Sequence, residues 1–159
     1  MKINIIAVGK IKENYLKEAI AEYSKRISAY ASVQFFEIAD EKCPENLSEA
    51  DKKIVLRKEG EKILAQISKN SFVYTLEIKG QKLSSEKFSE NLQKQMLGGF
   101  SEFSFVIGGS LGLADEVLQK SNFSLSFSDM TFPHQLMRVI LLEQIYRSFK
   151  IIKNEPYHK

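Results

Sequence analysis

Along this chain of 159 residues the apolar positions change rhythm repeatedly. Ile3, Ile5, Ile6, Ala7 and Val8 form a short run ended by Gly9, the pattern of a buried strand. From residue 13 to 30 the spacing becomes three and four, through Tyr15, Leu16, Ala19, Ile20, Tyr23, Ile27 and Tyr30, which predicts an amphipathic helix. Val33, Phe35, Phe36 and Ile38 predict a second strand. Residues 40–47 hold Pro44 and several charges and read as loop. Ser48 with Asp51 three residues on marks a helix start, and that helix runs to about Ser68. Phe72–Ile78 reads as a third strand closed by Gly80. Ser84 or Ser85 opens a helix that stops at Gly98 and Gly99. Phe103–Ile107 is a fourth strand, Ala114 to about Lys120 a short helix and Phe123–Phe127 a fifth strand. Pro133 takes the first position of a long last helix ending near Ile152, and a polar tail follows.

Strands and helices alternate throughout. The predicted fold is α/β, a mainly parallel sheet with helices on both faces. Ligands in such sheets bind outside the carboxyl ends of the strands. Here those ends are Gly9, the loop after Ile78, Gly108 and the segment after Phe127. The last helix is apolar on two sides: Val139, Leu142, Ile145, Tyr146 and Phe149 on one, Met137, Ile140 and Leu141 on the other. One side is expected to pack on the sheet and the other on a second subunit, with a helix fully enclosed within its own chain as the alternative.

Composition narrows the class. The length suits one domain over 1–159, and 43% hydrophobic residues exclude disorder. Cys43 is the single cysteine, so no internal disulfide forms. No run of 18 apolar residues predicts a membrane span, and the first residues lack a signal-peptide pattern. A soluble cytoplasmic protein is expected. The net charge is +3, distributed as +3 over residues 1–30, −2 over 31–120 and +2 over 121–159. Basic ends permit a polyanionic partner without requiring one.

Three segments hold candidate chemistry. Gly108-Gly109-Ser110-Leu111-Gly112-Leu113 sits between a strand and a helix, where glycines let backbone N–H groups approach a ligand. The same turn, with Asp129 seventeen residues after Gly112, resembles a dinucleotide site with an acidic ribose ligand, and it also reads as a plain tight turn. Leu125 through Gln135 joins a strand end to a helix start. Its apolar Phe127, Met130 and Phe132 lie beside free amides and hydroxyls, which suits a purine ring as well as a capped helix with an apolar plug. The terminal Tyr157-His158-Lys159 can donate, stack and exchange a proton, although tails are ordinarily frayed. His134, His158 and Cys43 do not make a metal-ligand spacing, so no metal is expected.

Taken in order, Ile6-Ala7-Val8-Gly9-Lys10, Gly108 to Leu113, Leu125 to Gln135, Arg138-Val139, Glu143 to Arg147 and Tyr157-His158-Lys159 resemble the large-subunit rRNA pseudouridine N3-methyltransferase family. That family belongs to the SPOUT class of knotted methyltransferases. The resemblance implies a homodimer and a C-terminal trefoil knot, with knot and cofactor site within about 103–159. It implies S-adenosyl-L-methionine as cofactor, held by Leu76, Gly108, Phe127, Ser128, Asp129, Met130, Thr131 and Phe132. The implied substrate is a pseudouridine in helix 69 of the 23S rRNA, methylated at N3 in the assembled ribosome. Tyr157 and His158 are then the expected catalytic residues, Tyr157 positioning the base and His158 taking the N3 proton or ordering a water that does. Arg138, Arg147, Lys159, Lys10 and Lys12 are expected phosphate contacts. One subunit's tail is expected to reach the other's cofactor. Two competing functions remain: a NAD-dependent oxidoreductase built on the Gly108 turn and Asp129, and a non-catalytic ribosome-binding module.

Overall fold

The computed structural model describes residues 1–159. In chain order the elements are β1 (Lys2–Val8), α1 (Asn14–Ile27), β2 (Ser32–Ile38), α2 (Glu49–Gln66) and β3 (Phe72–Lys82). They continue with α3 (Ser85–Leu97), β4 (Glu102–Ile107), α4 (Asp115–Lys120), β5 (Phe123–Ser126) and α5 (His134–Ile152). The strands form one sheet in the order β2-β1-β4-β3-β5, and every neighbouring pair is parallel.

Strand periodicity of two divides the core between the two faces. Ile3, Ile5 and Ala7 of β1 join Phe72, Tyr74, Phe103, Phe105 and Ile107 under α1, α3 and α5. Ile6 and Val8 join Val73 and Val106 beneath α2 and α4, where Ile63, Ala114 and Val117 close the layer. The larger face is aromatic. Tyr74 stacks on Phe105 at 4.8 Å between centroids, and its hydroxyl donates to Asn91 Oδ1 at 2.7 Å. Both faces of β1 and β4 are buried, which is why their sequences read as near-continuous apolar runs.

Several boundaries differ from the sequence expectation. β3 does not close at Gly80; it continues to Lys82 through a bulge. Leu76 and Gln81 both pair with Leu125, so residues 77–80 are pushed out of the ladder. Gly80 sits inside this bulge because a Cβ there would lie 2.8 Å from the Ser124 carbonyl oxygen. Close passage of β5, rather than chain termination, demands the glycine. β5 ends at Ser126, which releases Phe127 from the sheet, and Pro133 stands just ahead of α5 as its cap residue.

The second apolar side of α5 is covered only in part within the chain: Leu141 is buried, while Met137 and Ile140 are half-buried. α5 is the middle helix of its layer, packed between α1 and α3, and Leu141, Leu142, Ile145 and Phe149 are buried. Leu136 remains exposed, with Ile140 half-buried one turn on.

Arg138 requires a correction. Its side chain is 1% exposed and is no surface phosphate contact. Nη2 donates to the carbonyls of Val8 at 3.0 Å and Gly9 at 2.6 Å, while Nη1 donates to Glu37 Oε1 at 3.0 Å. Burial works against the cation and Glu37 supports it. The chain places a charge here because two strand-end carbonyls and a carboxylate converge on it. Arg138→Leu is expected to lower the unfolding free energy by about 3 kcal/mol in urea titrations, because those partners lose their donor. Glu37→Gln is expected to cost less, since the Glu37 side chain is 37% exposed and water can replace part of its role.

Candidate functional site

Three segments meet at the carboxyl edge of the sheet around a cavity of about 490 Å³. The first is the end of β3 with its bulge, from Leu76 to Lys79. The second is the turn 108–113 after β4. The third is the segment from Phe127 to Phe132, backed by His134 and Met137 of α5. The 108–112 turn folds onto itself: the Gly112 amide donates to the Gly109 carbonyl at 3.1 Å. A Cβ on Gly108 would come within 2.4 Å of the Gly112 carbonyl oxygen, so no other residue fits without moving the turn.

The 127–132 segment is held by few internal bonds. Ser126 Oγ donates to the Ser128 carbonyl at 3.2 Å, and the Met130 amide donates to Ser128 Oγ at 3.0 Å. The amides of Thr131 and Phe132 donate to no protein group. Leu76, Leu125, Phe127 and Phe132 supply apolar wall beside them. The site therefore offers a flat apolar slot edged by backbone donors. Polar side chains lining it are Glu77 and Lys79 from the bulge, Ser110 from the turn, Ser128 and Thr131 from the third segment, and His134 from α5.

Of the eight residues expected to bind the cofactor, the structure gathers seven around this one cavity. Asp129 is the exception: its side chain is 81% exposed and pairs with Lys82 across to β3. Sequence reasoning missed the contribution of Glu77, Ile78 and Lys79, whose only signal was a glycine read as a stop. It also missed Glu86, and it gave Glu143 a place in a motif but no role; both anchor the tail.

The tail is ordered by side-chain bonds. Asn154 adopts φ 53, a left-handed conformation that asparagine tolerates, and the chain doubles back over α5. Tyr157 donates its hydroxyl to Glu143 Oε1 at 3.0 Å, with its ring edge-on to Tyr146 at 4.8 Å. Burial, then the bond to Glu143, pushes the phenol up to about 12, so Tyr157 remains a donor at neutral pH. Arg147 binds Glu143 and lies 4.7 Å over the Tyr157 ring. His158 sits between Arg147 Nη1, 3.2 Å from Nδ1, and Glu86 Oε1, 2.8 Å from Nε2. Arginine can only donate, so Nδ1 accepts and Nε2 carries the proton donated to Glu86. Neither Tyr157 nor His158 lines the cavity of its own chain. Among the expected phosphate contacts, Lys10, Lys12 and Lys159 are exposed, whereas Arg147 is engaged by Glu143.

Comparison with known proteins decides the family. Residues 1–158 match the family described as "Predicted SPOUT methyltransferase". The chain belongs to the SPOUT methyltransferase family. Over 159 residues, covering both chains completely, it is 60% identical to a "Ribosomal RNA large subunit methyltransferase H" from Carboxydothermus hydrogenoformans. It is 57% identical, again over both full lengths, to a protein of the same name from an Exiguobacterium species. Family membership makes the chain a methyltransferase and sets aside the oxidoreductase reading, whose Asp129 faces away from the cavity. No group of metal-ligating side chains is assembled, and no helix is long and apolar enough to cross a membrane.

The tail anchor has a pH signature. The Ser84 hydroxyl, the residue's own amide and His158 hold the Glu86 carboxyl at about 2, below its ordinary 4.5. A depressed carboxyl stabilises the fold fully above its ordinary value and loses that contribution as pH falls toward 2. Glu86→Gln is expected to flatten the fall of melting temperature between pH 4.5 and 2, read by circular dichroism.

Proposed function

We propose that this chain transfers a methyl group from S-adenosylmethionine to N3 of a pseudouridine in helix 69 of the 23S rRNA. It acts as a homodimer on the assembled ribosome in the cytoplasm. The observation that carries this reading is the gathering of seven motif residues around one cavity in a chain matching, end to end, relatives named for large-subunit rRNA methylation. The cavity fits the cofactor's adenine in kind, since apolar walls lie beside unspent backbone donors at Thr131 and Phe132. The C-terminal trefoil knot implied by the resemblance belongs to the same reading. It is supported by the start of α5 lying among the β3 bulge and the 108–113 turn.

When bound, the cofactor supplies an electrophilic methyl on a sulfonium centre. The chain's residues have three tasks around it. The Gly108 turn and the 127–132 segment hold and orient the cofactor, which fixes the approach line of the attacking nitrogen. The apolar walls exclude water from that line. A base must remove the N3 proton of the imide before it attacks. His158, directly or through an ordered water, takes this proton, and Tyr157 positions the nucleobase. Within one chain His158 is turned to Glu86 with its Nε2 already protonated. The functional pairing in this reading is the tail of one protomer with the cavity of the other, with His158 released from Arg147, which frees Nδ1 to accept the proton, and from Glu86.

Incubation with S-adenosylmethionine and ribosomes lacking the modification is expected to place one methyl on the pseudouridine, mapped by mass spectrometry. A nucleoside left unmethylated overturns the reading. Gly108→Ala is expected to weaken cofactor affinity about tenfold or more in calorimetry, because the turn cannot hold its shape. His158→Ala is expected to lower kcat roughly a hundredfold or more while cofactor affinity stays unchanged. Mixed dimers of a Gly108→Ala chain with a chain lacking residues 157–159 are expected to regain activity that neither homodimer has. Absence of complementation rules out sharing of the tail.

A further inference from the structure

α1 leans on α5 and meets the edge strand β2 only lightly. A groove of about 330 Å³ opens between them, sharing no lining residue with the methyl-transfer cavity. Its apolar walls are Ile11, Ile20 and Phe35, and Phe35 is a large aromatic side chain 38% exposed on an edge strand. Its polar lining is Lys17, Ser24, Glu37 and Arg138.

Three buried side-chain polar atoms in the molecule lack a hydrogen-bond partner, and two of them belong to this lining: Ser24 Oγ and Arg138 Nε. The three other guanidinium bonds are spent on Val8, Gly9 and Glu37, so Nε is the one donor nitrogen left over. A buried polar group without a partner costs about 1–3 kcal/mol, and two beside one groove point to something that satisfies them there.

We infer that this groove is a second RNA subsite that receives one unpaired nucleobase of the substrate rRNA beside the methylated nucleotide. The inference rests on the rRNA methyltransferase reading above. The chemistry selects a base over a phosphate. Glu37 offers a carboxylate oxygen beyond the one bonded to Arg138 and the Ile11 amide, which repels an anion and accepts from an imino or exocyclic amino hydrogen. Lys17, Ser24 and Arg138 Nε supply donors for the ring nitrogens and carbonyl oxygens of the same base. Phe35 supplies the stacking face, the usual platform for a splayed-out base. Exposed Lys10 and Lys12 flank Ile11 and lie where the backbone phosphates of that nucleotide run. Ser24 Oγ and Arg138 Nε are shut off from bulk water, so a base reaches them only when the side chains lining the groove shift to admit it.

The test uses the full chain and ribosomes lacking the modification. Phe35→Ala, and Ala21→Trp to fill the groove, are expected to raise KM for ribosomes roughly 5- to 150-fold, the range of one lost stacked base. Phe35→Trp is expected to stay within about twofold of the original enzyme, and kcat and S-adenosylmethionine affinity to hold for all three. Unchanged KM in both disruptive variants, with the unaltered enzyme methylating normally, overturns the subsite and leaves the methyltransferase reading standing. If the unaltered enzyme does not methylate, or a variant misfolds, the subsite is judged by NMR on the unaltered protein titrated with a helix 69 RNA hairpin. Shifts at the Ala21, Ser24 and Phe35 amides are expected. Their absence at saturating RNA overturns the inference and leaves the two atoms bridged by trapped water only.

Discussion

The guanidinium of Arg138 fixes where the last helix begins. β5 is an edge strand, yet α5 lies between α1 and α3 at the middle of its layer. The chain must therefore leave the edge after Ser126 and return inward across the carboxyl ends of the strands. Arg138 stops that return at one place, because its cation is buried and needs the carbonyls of Val8 and Gly9 together with Glu37. A buried charge satisfied in one position is heavily penalised in others, so it specifies position more than it adds stability. The apolar surface of α5 alone would tolerate sliding along the sheet. The 127–134 segment is the connection to α5, and its path over the cavity depends on this anchor.

The tail shows a different use of charge. Glu143 takes hydrogen bonds from Arg147 and Tyr157, and Arg147 passes the contact on to His158 and Glu86. These groups are partly exposed, so each bond is weak and salt-sensitive. A short segment held by several weak bonds is ordered without being locked. That suits a tail which, in the proposed dimer, exchanges Glu86 for a neighbouring cavity. The same contacts hold His158 in a defined tautomer until it is used.

The strands and most helix limits were legible because a parallel sheet buried on both faces writes itself as apolar runs, and caps such as Ser48 and Ser84 are local signals. The cavity segments were legible as motifs. What sequence did not disclose depends on neighbours. Gly80 read as a stop because its reason, the backbone of Ser124 and Leu125, lies more than forty residues away. Arg138 read as a surface cation because nothing local reveals that two carbonyls and Glu37 surround it. Asp129 read as a cavity carboxylate, since spacing along a chain does not say that Lys82 draws the side chain outward. The two-sided apolar pattern of α5 was real, but a central helix with flanking neighbours explains part of it without a second subunit.

Smallness joins these features. A chain of 159 residues gives each strand-end loop more than one duty. The β3 bulge is both sheet irregularity and cavity rim, and the residues after β1 carry the exposed lysines as well as a wall of the second groove. Both recesses border α5 near its start: Met137 lines the cavity and Arg138 lines the groove. Consecutive residues on a helix diverge by about 100°. One rigid helical turn therefore points into two recesses at once and holds their spacing constant. In the proposed reading, a nucleotide presented to the cofactor at the first recess and a neighbouring base in the second are measured against that spacing.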